Sequence, residues 1–295
     1  MKYLSVSEVA KKWSLSERSV RNYCANGRIK GAFLTGKTWN IPEDAIKPNR
    51  IDEKKFSDNE LLNILKEEKD MRLKGGIYHK TQIALTYNSN HIEGSTLTEE
   101  QTRLIFETNT IGETKGIKVD DIVETNNHFK CFDLVIDNAK KPLTEKFIKE
   151  LHFTLKVGTS DSLKSWFNVG DYKSRPNEVG GNETCQPENV AKEMKQLLTT
   201  YNSLKDKTIE DIIEFHYHFE NIHPFQDGNG RIGRLIMFKE CLANNIVPFI
   251  IEDEIKMYYY RGLREWQSEK GFLIDTCLSA QDKYKKYLDY FGIKY

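Results

Sequence analysis

The 295-residue chain has no apolar run long enough to span a bilayer, and its first residues lack a signal peptide's apolar core. A membrane partner is therefore not expected, and a cytoplasmic protein is. Cysteine is sparse: five residues, at 24, 131, 185, 241 and 277, odd in number and widely spaced. None forms the close pair of a metal site, so they read as reduced thiols rather than a disulfide framework. There is no internal repeat and no low-complexity tract, which excludes a solenoid. Net charge is also lacking, with 44 Lys and Arg against 44 Asp and Glu. The balance is uneven, however. Residues 1–50 hold ten basic and four acidic side chains, which leaves 34 basic against 40 acidic in the remainder. A basic first segment on an acidic body points to an anionic partner at the N-terminus. At 38% hydrophobic and 30% charged, the chain can build a sizeable core, and its length suggests roughly two domains.

The basic segment has local signals of two short helices. Ser5-Val6-Ser7-Glu8 forms a capping box ahead of an apolar stripe of Val9, Ala10 and Trp13. After a turn at Ser14 and Leu15, Ser16 caps a second helix with Val20 and Tyr23 inward. Its other face carries Arg18, Ser19, Arg21 and Asn22, side chains suited to phosphates and base edges. Gly27 stops that helix, and 32–34 and 38–41 flank Thr35-Gly36-Lys37 as a hairpin or wing. Pro42 is expected to open a last short helix to Ile46. The arrangement over residues 1–48 resembles the winged helix-turn-helix of the MerR and excisionase type, which implies binding to duplex DNA. A helical module that docks protein is the alternative.

Lys47 to Lys55 reads as the junction, and Ser57-Asp58-Asn59-Glu60 as a capping box opening an amphipathic helix. Further helices are expected over 98–108, 143–155, 188–201, 208–221 and 230–243. The stretch from Asn168 to Pro187 is poor helix material, and 169–173 with 177–179 could pair as a hairpin. Tyr258, Tyr259 and Tyr260 read as core.

Residues 223–234, HPFQDGNGRIGR, carry the chemistry. Gly-Asn-Gly frees backbone N–H groups to converge on an anion, and a helix beginning there adds its positive end. Arg231 and Arg234, three apart, can clamp phosphate oxygens, and Asp227 can hold Mg²⁺ beside them. His223 is a general base with a near-neutral ordinary pKa. The segment matches H-P-F-x-D-G-N-G-R-x-x-R at all nine fixed positions and so resembles the Fic family. That resemblance implies transfer of AMP from ATP to a Tyr, Thr or Ser hydroxyl of a target protein. It implies that His223 takes the hydroxyl proton and that Asp227 holds Mg²⁺ against the α- and β-phosphates. Asn229 with the Gly228 and Gly230 amides would cradle the α-phosphate. Arg231 would contact the β-phosphate and Arg234 the γ-phosphate, with Phe225 buried as an anchor. The stretch 168–187 would be the flap that lays the target across the site by strand pairing.

Ser89-Asn90-His91-Ile92-Glu93-Gly94 fits the family's inhibitory pattern, S/T-x-x-x-E-G/N. The resemblance implies that Glu93 pairs with Arg234 and keeps it from the γ-phosphate. In some members this glutamate also positions a water that removes AMP. The expected fold class is therefore mostly α. It comprises a small winged helix-turn-helix domain at 1–48 and, at 49–295, an all-helical Fic domain with a small hairpin flap. The expected function is an autoinhibited adenylyltransferase acting on a target or on itself, with homodimer formation among the family's habits. Its rivals are a transcriptional regulator whose Fic domain senses nucleotide, and transfer of a different nucleotide.

Overall fold

The computed structural model describes residues 2–25, 27–48, 59–112 and 116–295. Most of the Lys47–Lys55 junction and the Ser57 and Asp58 cap positions lie outside these. The chain forms two compact units: Met1–Lys54 with Ile255–Ser279, and Lys55–Glu254 with Ala280–Tyr295. This differs from a division at residue 48 by bringing 255–279 into the first unit.

In the first unit, β1 (Tyr3–Leu4) leads into α1 (Val6–Trp13), and α2 (Glu17–Ala25) follows a left-handed Ser14. Ser5 and Glu8 close the expected capping box. β2 (Phe33–Thr35) and β3 (Thr38–Pro42) pair around Gly36, whose φ of 60° suits only glycine at low cost. β1 adds to the far edge of β3, with Leu4 opposite Ile41 and Tyr3 opposite Pro42. That pairing corrects the expectation of a helix from Pro42. Proline ends the strand instead, and a turn follows in which Ala45 N–H donates to the Pro42 carbonyl. Val9, Trp13, Val20, Cys24, Ile29 and Ile41 fill the core. α11 (Lys256–Arg264) and the first part of α12 (Gly271–Tyr290) complete this unit. Of the three adjacent tyrosines only Tyr259 is core; Tyr258 and Tyr260 are exposed.

The second unit is a helical assembly. It comprises α3 (Glu60–Met71), α4 (Ile77–Ile92), α5 (Glu99–Thr108), α6 (Val119–Asp137), α7 (Glu145–Lys156), α8 (Pro187–Ser203), α9 (Ile209–Ile222) and α10 (Asn229–Ala243). Short local signals set several starts. Asn59 caps α3 through Leu62 N–H. Thr98 with Gln101 and Thr208 with Asp211 form reciprocal boxes on α5 and α9. α10 packs along α9, and α4, α6 and α7 surround the start of α10. The hairpin is β4 (Glu178–Val179) with β5 (Asn182–Glu183), turning at Gly180-Gly181, both at positive φ. The expected strand at 169–173 is absent, because Gly-Gly and not the upstream valine sets the turn. Among the described residues no helix is long and apolar enough to cross a membrane.

Phe132 is fully buried, stacked with Tyr78 and edge-on to Phe238. Phe132→Ala should cost about 3–5 kcal/mol in denaturant unfolding, through lost transfer energy and a residual cavity.

Candidate active site

The α9–α10 corner builds the site. His223 ends α9 in the left-handed region, φ 50°, with its N–H on the Phe219 carbonyl. Pro224 then turns the chain away, and Phe225 is buried with its ring stacked flat on His152 at 4.0 Å. Asn229 closes the loop from inside: its Oδ1 accepts from Phe225 N–H at 2.8 Å and its Nδ2 donates to the Phe225 carbonyl at 2.8 Å. This side chain is therefore engaged in shaping the loop. Gly228, at φ 84°, precedes the first residue of α10, so the N–H groups of 228–230 lie at a helix N-terminus.

The two arginines are both buried but diverge. Arg231 reaches Glu124 on α6 through Nη1 and Asp227 Oδ2 through Nη2 at 3.1 Å. Arg234 turns to α4. Its Nε donates to Ser89 Oγ at 3.0 Å, and its Nη2 donates to the Ser89 carbonyl at 2.9 Å and to Glu93 Oε1 at 2.7 Å. Ser89, Glu93 and Arg234, 141 residues apart in sequence at the carboxylate pair, are thus one constellation. Gly230 makes room for it: a Cβ there would collide with the Glu93 carboxylate and lie 2.9 Å from Arg234 Nη1.

Asp227 is half-exposed, with 44% of its side chain accessible. Its Oδ2 accepts from Lys156 Nζ at 2.6 Å, and Lys156 also meets Glu124 and, at 3.1 Å, Asp161. Burial would raise the Asp227 carboxyl, but Arg231 and Lys156 outweigh it and hold it well below the usual carboxylate range. Burial works against the Lys156 ammonium, yet Asp227 and Glu124 raise it. His152 holds the loop from the other side. Its Nδ1 accepts from Gly170 N–H at 2.9 Å, so the ring N–H is on Nε2, facing the Asp227 carbonyl at 3.2 Å. His223 is pushed down to about 4, by burial first and then by the Lys173 ammonium. The Glu220 backbone, Glu93 and Asp227 act the other way. The imidazole is therefore unprotonated at neutral pH and able to accept a proton.

His152, Lys156, Lys173, Glu124 and Glu220 were not singled out in the sequence. Only the i, i+4 placement of His152 and Lys156 on α7 hinted that the two face one site. Of the four side chains expected to face DNA, Ser19 donates to Asp275 at 2.7 Å and Arg21 pairs with Glu17 at 2.6 Å. Ser19 is thereby committed within its own unit and does not present a free hydroxyl. The side chains of Arg18 and Asn22 lie outside the described residues.

Asp227 alone fits Mg²⁺ in the way that ion is usually held, by one or two carboxylates completed by phosphate oxygens. Among the described residues no cluster of three or more His, Cys, Asp or Glu is placed to hold a metal without such help.

His223, the start of α10, Arg231 and Arg234 thus share one corner of a helical unit. Residues 142–241 match the Fic/DOC family. The protein adenylyltransferase Fic of Nematostella vectensis is 31% identical over 184 residues, 61% of this chain and 42% of that protein. That of Drosophila melanogaster is 30% identical over 187 residues, 60% of this chain and 36% of that one. The match thus spans less than half the length of these curated relatives. A Fic domain containing signaling protein from Bacteroides thetaiotaomicron is similar at TM-score 0.58 and 28% identity, covering 78% of this chain and 90% of that one. Fic-1 from C. elegans has the same fold at TM-score 0.62 and 20% identity, covering 80% and 73%.

Glu220, one turn before His223, has a buried carboxyl 4.0 Å from His216. Burial raises it to about 8, with Arg234 opposing and Glu93 adding. Its folded value exceeds its unfolded one, so its contribution is complete below about 4.5 and is lost as pH rises through about 8. Glu220→Gln should flatten the fall in stability over that window, as read by urea unfolding at about pH 5 and about pH 8.

Proposed function

We propose that this protein transfers AMP from ATP to a Tyr, Thr or Ser hydroxyl of a target protein or of itself, under restraint by Glu93. The observation that carries the reading is the single corner holding an unprotonated His223, the helix start at 228–230 and Arg231. Arg234 stands on the same helix turn, already engaged by a carboxylate.

In this reading the target hydroxyl oxygen attacks the α-phosphorus and its proton passes to His223. The bond between the α-phosphorus and the bridging oxygen breaks, and pyrophosphate leaves. The Gly228 and Gly230 amides and the loop held by Asn229 steady the α-phosphate, and Arg231 lies toward the β-phosphate. Asp227, kept ionised by Arg231 and Lys156, is the residue that would hold Mg²⁺, which supplies charge neutralisation along the polyphosphate when bound. Arg234 serves the γ-phosphate only once Glu93 has released it. A charge-assisted carboxylate–guanidinium bond competes here with substrate for the same donors. Removal of AMP from a modified target by a water held at Glu93 belongs to the same proposal.

Two short variants test it. Glu93→Gly should raise labelling from α-labelled ATP by at least about tenfold, a change of ~1.4 kcal/mol in the barrier. His223→Ala in that background should lower it by about 10²–10⁴ while leaving ATP bound. Equal labelling by wild type and Glu93→Gly, with ATP binding intact, would refute the restraint.

The first unit is proposed to bind duplex DNA as a winged helix-turn-helix. Support comes from its helix pair, the Gly36 hairpin with exposed Phe33 and Leu34, and the excess of basic residues. Affinity of the full chain for duplex DNA should then fall steeply with salt, measured by fluorescence anisotropy. A salt-independent signal, or none, would favour the protein-docking alternative.

A further inference from the structure

Lys173 lies in an irregular stretch with turns on either side, yet it is only 3% exposed. Its ammonium donates to Asn177 Oδ1 at 2.7 Å, Thr184 Oγ1 at 2.6 Å and, more loosely, the Ile222 carbonyl at 3.5 Å. Asn177 immediately precedes β4 and Thr184 immediately follows β5, so one side chain grips both flanks of the hairpin. Ile222 is the residue before His223. The backbone N–H of Lys173 donates at 2.9 Å to the carbonyl of Pro224, the residue after it. One lysine thus brackets His223 on both sides. Asn177 extends the attachment, donating from Nδ2 to the Phe225 carbonyl at 3.1 Å.

All three acceptors are neutral. An ammonium left in such surroundings is costly and usually placed for its charge. Burial lowers this one to about 8, with Cys185 opposing. It therefore remains mostly charged at neutral pH, where it disfavours a second cation on the imidazole.

We propose that Lys173 is a positioning residue of the transfer reaction, joining the β4–β5 hairpin to the loop of His223 and keeping that ring in its proton-accepting form. The proposal rests on the reading of His223 as the base. It assigns the hairpin a second consequence: whatever seats on β4–β5 pulls on the bracket around the base. The groups acting on the ring are Lys173 from this stretch, the Glu220 backbone from α9, Glu93 from the end of α4 and Asp227 from the loop, and among these Lys173 is the cation.

The experiment is a pH titration of the His223 ring by NMR in ¹⁵N-histidine-labelled full-length protein, assigned with His223→Ala. It compares wild type, Lys173→Met and Lys173→Arg. The Met variant should raise the ring's titration by about one pH unit or more, and Arg should restore it. Transfer measured in the Glu93→Gly background should lose its acid limb at correspondingly higher pH in the Met variant. It should also fall about tenfold or more below wild type in kcat, with KM for ATP little changed. If Lys173→Met does not fold, Lys173→Gln, which keeps a donor without the charge, should give the same rise. An unchanged titration in a folded uncharged variant overturns the proposal, as does failure of Arg to restore it. The titration uses neither nucleotide nor target, so it separates this proposal from the proposed transfer. Absence of labelling in every variant, with the shift present, would refute the transfer and leave the bracket standing.

Discussion

The Lys156 ammonium, buried to 1% exposure, is held by three carboxylates, Glu124, Asp161 and Asp227, which offset the cost of taking its charge out of water. Each comes from a different place: α6, the turn after α7, and the loop before α10. Arg231 joins two of the same carboxylates from α10. Desolvating any one of these charges alone would cost several kcal/mol. The elements close in an arrangement that satisfies all five, and that arrangement sets the loop between α9 and α10. Lys164 also pairs with Asp161 at 2.5 Å, so cations and carboxylates balance in this group, and Asp227 is its half-exposed member.

The loop above this cluster is fixed by neutral contacts. Asn229 ties both backbone groups of Phe225, His152 stacks on its ring, and Lys173 holds the residues on either side of His223. Charge sets the floor of the site and hydrogen bonding sets its rim. Arg234 belongs to neither. It is gripped by α4 through Ser89 as well as Glu93, so releasing the carboxylate leaves two hydrogen bonds to keep the guanidinium aimed. Such a residue can change partners without losing its place.

What the sequence disclosed follows from the range of each signal. Capping boxes at Ser5 and the helix start at Thr98 were legible because donor and acceptor sit three residues apart. α4 was not, because its Thr81, Gln82, Thr86 and Ser89 are buried along with its apolar residues and leave no stripe to read. The Glu93–Arg234 pair was reachable only through two family motifs, and nothing local joins residues so distant. Lys156 and Lys173 look in sequence like any solvated lysine; burial is a tertiary property. The hairpin turns at Gly180-Gly181 and not at the β-formers upstream, and Pro42 ends a strand because its partner is Tyr3, far back in the sequence.

Gly230 links restraint and activity in a way that narrows how this chain can change. The space where its side chain would stand is taken by the Glu93 carboxylate, and the same space opens onto the helix start. If Glu93 acts as proposed, the glycine is needed in the guarded state for the room it leaves the carboxylate, so Gly230 and Glu93 form one steric unit although they lie on different helices' ends.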